Sequence, residues 1–422
     1  MTSLRLLVVL GTLALASGAA FSVGCGGDSN NTGGGGSAGA GTGGTATGGS
    51  GPGGQGTGGT TSSGGGGAGG QGAPFGVPPG EWTFVPIPGA KCINNTATGI
   101  AVNTTAASDD VIIYMEGGNA CFNQFTCGIT YNTDGYDAAK FNKPTGDKEL
   151  LTNTPMFQRS GPTALFKSYN FVYVPYCTGD VHAGDNEAMV GGAMRYFHGA
   201  KNSQLYFDAV KAALPNAKHI VLAGSSAGGF GAAFNYDRLA KTFPNVKAML
   251  IDDSGPPMSS TYVAPCLQQY FITTWGLDKT LPADCADCVP GDGAFMEPLV
   301  NYIATTYSDR RLSLVSSSED GTISKFWGYG DNDCSNLQSF PGAYDGPTYA
   351  AGLEDLRDRI IGNQPNFKMF LIDGTNGEDN TKHVWLGDDP TMVLSNDVKL
   401  SDWLTQMLND SPDWANVPLT GE

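Results

Sequence analysis

Positive charge is scarce in this chain. Over 422 residues, 23 Lys and Arg stand against 40 Asp and Glu, giving a formal net charge of −17 and a pI of about 4.5. Phosphate binding rests on clustered Lys and Arg, so nucleic acid is excluded as a partner. A purely electrostatic grip on an anionic membrane or acidic polymer is excluded for the same reason. Histidine is scarcer still, with only four residues, which narrows the search for a general base. No G-x-G-x-x-G fingerprint and no internal repeat are present. Beyond the first 25 residues no run is long and apolar enough to span a bilayer. Cys285-x-x-Cys288 has no second pair at similar spacing, so a structural zinc site lacks half its ligands.

Glycine, by contrast, is abundant at 62 residues, and much of it lies between Gly26 and Gly72, where Asp28 is the only charge. Such a segment cannot bury enough apolar surface to offset the entropy of ordering, so it is expected to act as a flexible tether. Before it, Arg5 and the uncharged run that follows read as a secretory signal. Ser22-Val23-Gly24-Cys25 resembles a bacterial lipobox, with Cys25 as the lipidated residue and the only link to a membrane. The expected organisation is a signal peptide over 1–24, a lipid-anchored linker over 25–73, and one catalytic domain over 74–422. Nine cysteines minus Cys25 leave eight, an even number that suits four disulfides in an oxidising compartment. Cys121 and Cys127 are close enough in sequence to close a small loop.

Six short apolar runs alternate with amphipathic stretches. They are Val111–Met115, Phe171–Pro175, His219–Ala223, Val246–Ile251, Arg311–Val315 and Lys368–Ile372. Helical patterns fill Ser203–Leu214 and the alanine-rich segment after Gly228. This predicts an α/β fold with a mainly parallel central sheet covered by helices on both faces, and an active site at the carboxyl ends of the strands.

The third run leads directly into Gly224-Ser225-Ser226-Ala227-Gly228-Gly229 and then into helical sequence. That is a G-x-S-x-G elbow in its strand–turn–helix setting, with Ser226 as nucleophile. The base should lie downstream, and of His182, His198, His219 and His383 only His383 follows a later strand. The acid should end an intervening strand. Asp320 fits, and Asp252 and Asp253 are rivals one strand earlier. The oxyanion hole needs the Ala227 N–H and a second from the Glu116-Gly117-Gly118-Asn119 turn, supplied by Gly118 or Asn119.

Taken together these blocks resemble the pectin acetylesterase family, which includes the carboxylesterase Notum. The resemblance is carried by Glu116-Gly117-Gly118-Asn119-Ala120-Cys121-Phe122, Tyr176-Cys177 with Gly184-Asp185, Phe197-His198-Gly199, the intact elbow at 224–229 and Asp253-Ser254-Gly255. It implies an α/β-hydrolase fold, a Ser–His–Asp triad completed by Asp320 rather than Asp253, and no cofactor or metal. It further implies a serine esterase that removes O-acetyl groups from a polysaccharide; the signal run and Cys25 add export to the cell envelope, and a monomer is expected. A Notum-like lipid or protein deacylase and a non-catalytic glycan-binding lipoprotein are the alternatives, with an acylated polysaccharide or a small ester as partner. Asn119, Ala120 and Asn123 offer little apolar wall beside the glycine turn, which predicts a short acyl group.

Overall fold

The computed structural model describes residues 73–419, apart from 162, 290, 336, 339–341 and 343. The expected signal run over 1–24, the lipidation site Cys25 and the tether up to residue 72 lie outside the described residues.

In chain order the longer strands are β1 (Thr83–Lys91), β2 (Ala97–Asn103), β3 (Val111–Met115), β4 (Asn170–Val174), β5 (Asn186–Val190), β6 (Ala193–Phe197), β7 (His219–Ser225), β8 (Lys247–Asp253), β9 (Leu312–Ser317) and β10 (Phe367–Ile372). Eight of them form one sheet in the order β1-β2-β4-β3-β7-β8-β9-β10. The six apolar runs of the sequence supply its parallel part, from β4 to β10. Their apolar character on both faces has a direct cause. Ile113, Val172, Leu222, Leu250 and Leu314 pack under the helices Gly199–Ala213 and Ala227–Thr242, with Phe207, Phe230 and Phe234. Ile112, Tyr173, Val221 and Ile251 face a second layer containing Phe157, Trp385 and Trp403. A strand covered on both sides has no polar face to show.

The sequence reading does not contain β1 and β2, an antiparallel hairpin at the sheet edge, nor the separate hairpin of β5 and β6. Pro86 and Pro88 break the strand pattern of β1, and proline is tolerated there because the strand lies at an edge.

All eight described cysteines are paired: Cys92–Cys177, Cys121–Cys127, Cys266–Cys334 and Cys285–Cys288. The parallel register sets Met115 opposite Gly224, Ser225 opposite Asp253, and Asp253 opposite Val315. The carboxyl ends of β3, β7, β8 and β9 therefore meet at one place.

Candidate active site

Ser226 stands between the end of β7 and the first residue of the helix Ala227–Thr242, with φ 59° and ψ −124°. A non-glycine residue in that region costs about 1–3 kcal/mol, so the surroundings must impose it. They do so at both of its peptide groups. The Ser226 N–H donates to the Asp253 carbonyl at 2.7 Å, and the Ser226 carbonyl accepts from the Phe230 N–H at 3.1 Å. The glycines on either side are required by close approach. A side chain at Gly228 would collide with the Met115 carbonyl on β3, and one at Gly224 with the Gly228 carbonyl. The turn sits too tightly between sheet and helix for any Cβ.

His383 lies beyond β10, and its Nδ1 meets Asp320 Oδ2 at 2.7 Å. Asp320 is fully buried past the end of β9, and its other oxygen accepts from the Thr322 and Ile323 N–H groups at 2.8 and 2.9 Å. Nδ1 carries the proton in this pair, since the carboxylate can only accept. The Nε2 of His383 is buried and has no hydrogen-bond partner among the described residues, which leaves it free to take a proton. Burial opposes charging of this imidazole, but Asp320, with Asp253 beyond it, outweighs that and raises the His383 pKa above the ordinary value.

The other three histidines fall elsewhere. His219 opens β7 at the far end of the strand and bonds Asp110 at 2.9 Å. His198 is half-buried at the start of the helix Gly199–Ala213, and burial lowers its pKa. His182 is buried and uncharged, pushed down to about 4 by desolvation. Its Nε2 contacts the Glu116 carbonyl at 2.8 Å, and since a carbonyl can only accept, Nε2 is the protonated nitrogen. His182 thus fixes the peptide that enters the glycine turn. The Glu116 side chain, its pKa raised by burial, accepts from the Tyr176 N–H at 2.6 Å.

Gly118, Ser226 and Ala227 line one pocket together. Asn119 is turned outward, its amide donating to the Ile129 carbonyl at 2.6 Å. The pocket corrects one sequence expectation. Its walls are apolar, supplied chiefly by Val181, Phe230, Phe271, Trp275, Phe326 and Trp327, with Gly118 and Ala120 of the glycine turn adding little to them. No local pattern marks these residues, because they come from four separate stretches of the chain. The pocket encloses about 430 Å³ including its open mouth, yet the centre of a water-sized sphere can occupy only about 40 Å³ of it.

A mainly parallel sheet, a strained serine elbow and a His–Asp pair with a buried carboxylate beyond neighbouring strand ends define the α/β-hydrolase class. Within that class the chain belongs to the pectinacetylesterase family, whose profile matches residues 81–307. The match includes the glycine turn and Ser226 and ends before Asp320 and His383. Among proteins, the chain is 31% identical over 169 residues to palmitoleoyl-protein carboxylesterase notum2 of Xenopus laevis, covering 39% of this chain and 34% of that protein. It is 28% identical over 227 residues to pectin acetylesterase 11 of Arabidopsis thaliana, covering 52% of this chain and 56% of that one. The aligned region thus spans about a third to just over half of these relatives. Among solved structures, the Wnt deacylase Notum from Drosophila aligns with TM-score 0.55 at 16% identity, covering 81% of this chain and 96% of that one.

Proposed function

We propose that this chain is a serine carboxylic-ester hydrolase that removes a short acyl group, acetyl foremost, from a hydroxyl of a polysaccharide. The observation that carries this is the strained Ser226 elbow with the paired His383 and Asp320 beyond neighbouring strands. Ser226 Oγ attacks the ester carbonyl while His383 Nε2 takes its proton. The oxyanion forms toward the Ala227 N–H and the N–H groups of Gly118 or Asn119. His383 then returns the proton to the departing alcohol, and water releases the acid by the same route. Asp320 keeps the Nδ1 proton in place and balances the imidazolium. The same reading takes the protein as exported, consistent with eight paired cysteines, and as tethered through lipid at Cys25.

Short acyl groups are favoured by the narrowness of the pocket. A water needs roughly 10–15 Å³ of such space, so ≈ 40 Å³ suits a group of a few heavy atoms. The apolar lining supports a second reading, a longer fatty acyl group. A p-nitrophenyl ester series on the disulfide-bonded domain separates them. A real long-chain pocket contributes about 0.8 kcal/mol per buried CH₂, so kcat/KM would climb steeply with length. A profile that is flat or falls after butyryl is expected, with acetate released from acetylated polysaccharide. A fluorophosphonate should label Ser226 in the wild type and lose its target in Ser226→Ala. Turnover that survives Ser226→Ala would end the serine-esterase reading.

A further inference from the structure

Asp253 ends β8 fully buried, and it touches both halves of the site. Its carbonyl holds the Ser226 N–H at 2.7 Å. Its carboxylate accepts the Ser225 hydroxyl at 2.6 Å and the Ser254 hydroxyl at 3.2 Å. From the other side it accepts the Trp385 N–H at 2.9 and 3.0 Å on its two oxygens and the Leu386 N–H at 2.9 Å. These last donors lie two and three residues after His383. Ser254 extends the grip by accepting the Val384 N–H at 3.3 Å, at a residue with φ 63°. On the far side Ser317 Oγ bonds the Lys382 carbonyl at 2.6 Å and the Trp385 indole N–H at 2.9 Å.

We propose that Asp253 is a positioning residue for the ester hydrolysis, its buried carboxylate clamping the loop that carries His383 to the strand that carries Ser226. The inference rests on the serine-esterase reading above. A carboxylate is required because every partner at this point is a donor. Tyr114 O–H donates to Ser225 Oγ at 2.9 Å, which commits the Ser225 proton to Asp253. An Asn amide would turn its own N–H groups against main-chain donors. Two carboxyl groups then face His383: Asp320 from the segment after β9, and Asp253 from β8, where burial raises the pKa and the hydrogen bonds from Leu386, Ser225 and Trp385 oppose that rise by favouring the ionised form. Lys382, its neighbour in sequence, is occupied by Asp388. Asp252 beside Asp253 has its pKa raised, chiefly by burial and also by the charge of Asp253.

The test is Asp253→Asn, assayed with p-nitrophenyl acetate and normalised to sites titrated by a fluorophosphonate, so that misfolded protein is not counted. Misplacing the base should lower kcat about 100-fold with KM changed less than about threefold. Losing one of two negative charges beside the imidazole should also move the acid limb of kcat/KM to lower pH. A residue that only supports folding would leave per-site kcat and the limb where they are, and either result overturns the inference. If Asp253→Asn yields no folded protein, the double variant Ser225→Ala/Ser254→Ala decides. It keeps the carboxylate and strips two of its donors, and it should lower kcat about fivefold or more. Unchanged kcat there counts against the clamp. Ser226→Ala runs in parallel, and activity surviving in it would sink the esterase reading itself rather than the clamp alone.

Discussion

At the scale of single residues, the two oxygens of Asp320 have divided duties. Oδ1 takes two main-chain N–H groups and Oδ2 takes His383 Nδ1. Asp320→Asn must therefore keep its carbonyl oxygen on the main-chain donors and turn its NH₂ toward Nδ1. That forces the histidine proton onto Nε2, the atom that in the proposed mechanism accepts from Ser226. The expected loss in kcat is about 1,000-fold or more, with little change in thermal stability. A fall of tenfold or less would place the orienting acid elsewhere. The raised His383 pKa sets a second expectation. Catalysis needs the neutral ring, so kcat/KM should fall on acidification with its midpoint above the ordinary ~6.5 of histidine. A midpoint below that value would mean that burial outweighs the carboxylates. These residues were legible because their chemistry follows a fixed chain order and four histidines leave little choice. Asp253 was legible only as a rival acid, since nothing in Asp-Ser-Gly reveals which loop its carboxylate will hold. The pocket walls were not legible at all, because they converge only through the packing of distant elements.

Elements come next, and two helical glycines separate packing from propensity. Gly228 lies in the first turn after the elbow, and any Cβ there meets the Met115 carbonyl. Gly128 lies in the capped helix Gln124–Ile129 with open space around it. Gly228→Ala should cost about 1–3 kcal/mol by overpacking and should reduce kcat further, because the strand end it displaces leads into the glycine turn. Gly128→Ala should instead gain about 0.5–1 kcal/mol in urea unfolding, with turnover unchanged. Equal effects at the two sites would show that helix propensity, not contact with β3, decides both. The same contrast explains why strands were easier to read than their edges. A strand packed on both faces is written as a continuous apolar run, as in β3. The edge hairpin β1–β2 and the separate hairpin β5–β6 carry prolines or mixed polar residues, and their placement is set by tertiary contact.

For the whole molecule, the buried acids control how stability responds to pH. Burial raises the pKa of Glu116, Asp252 and Asp253, and pushes Asp180 to about 6. The folded state holds these protons more tightly than the unfolded chain does. Their stabilisation is present below the unfolded value near ~4 and is lost as pH rises through the folded values. His383, also raised, acts in the same direction. His182 and His198, both lowered, act in the opposite direction below about pH 6.5. With a net charge of −17 adding repulsion as pH rises, Tm at roughly pH 5.5 should exceed Tm at roughly pH 7.5. Calorimetry showing a steady rise of Tm with pH would overturn that balance. The disulfide Cys266–Cys334 has a different kind of consequence. It joins the helix Pro265–Trp275, which brings Phe271 and Trp275 to the pocket, to the stretch that brings Phe326 and Trp327. The reacting groups stand at strand ends, while the calibre of the acyl site belongs to this bridged segment outside the sheet. If the proposed esterase reading holds, acyl choice and turnover are separable: replacing aromatic residues along that strut changes which acyl group fits, while Ser226, His383 and Asp320 keep their places.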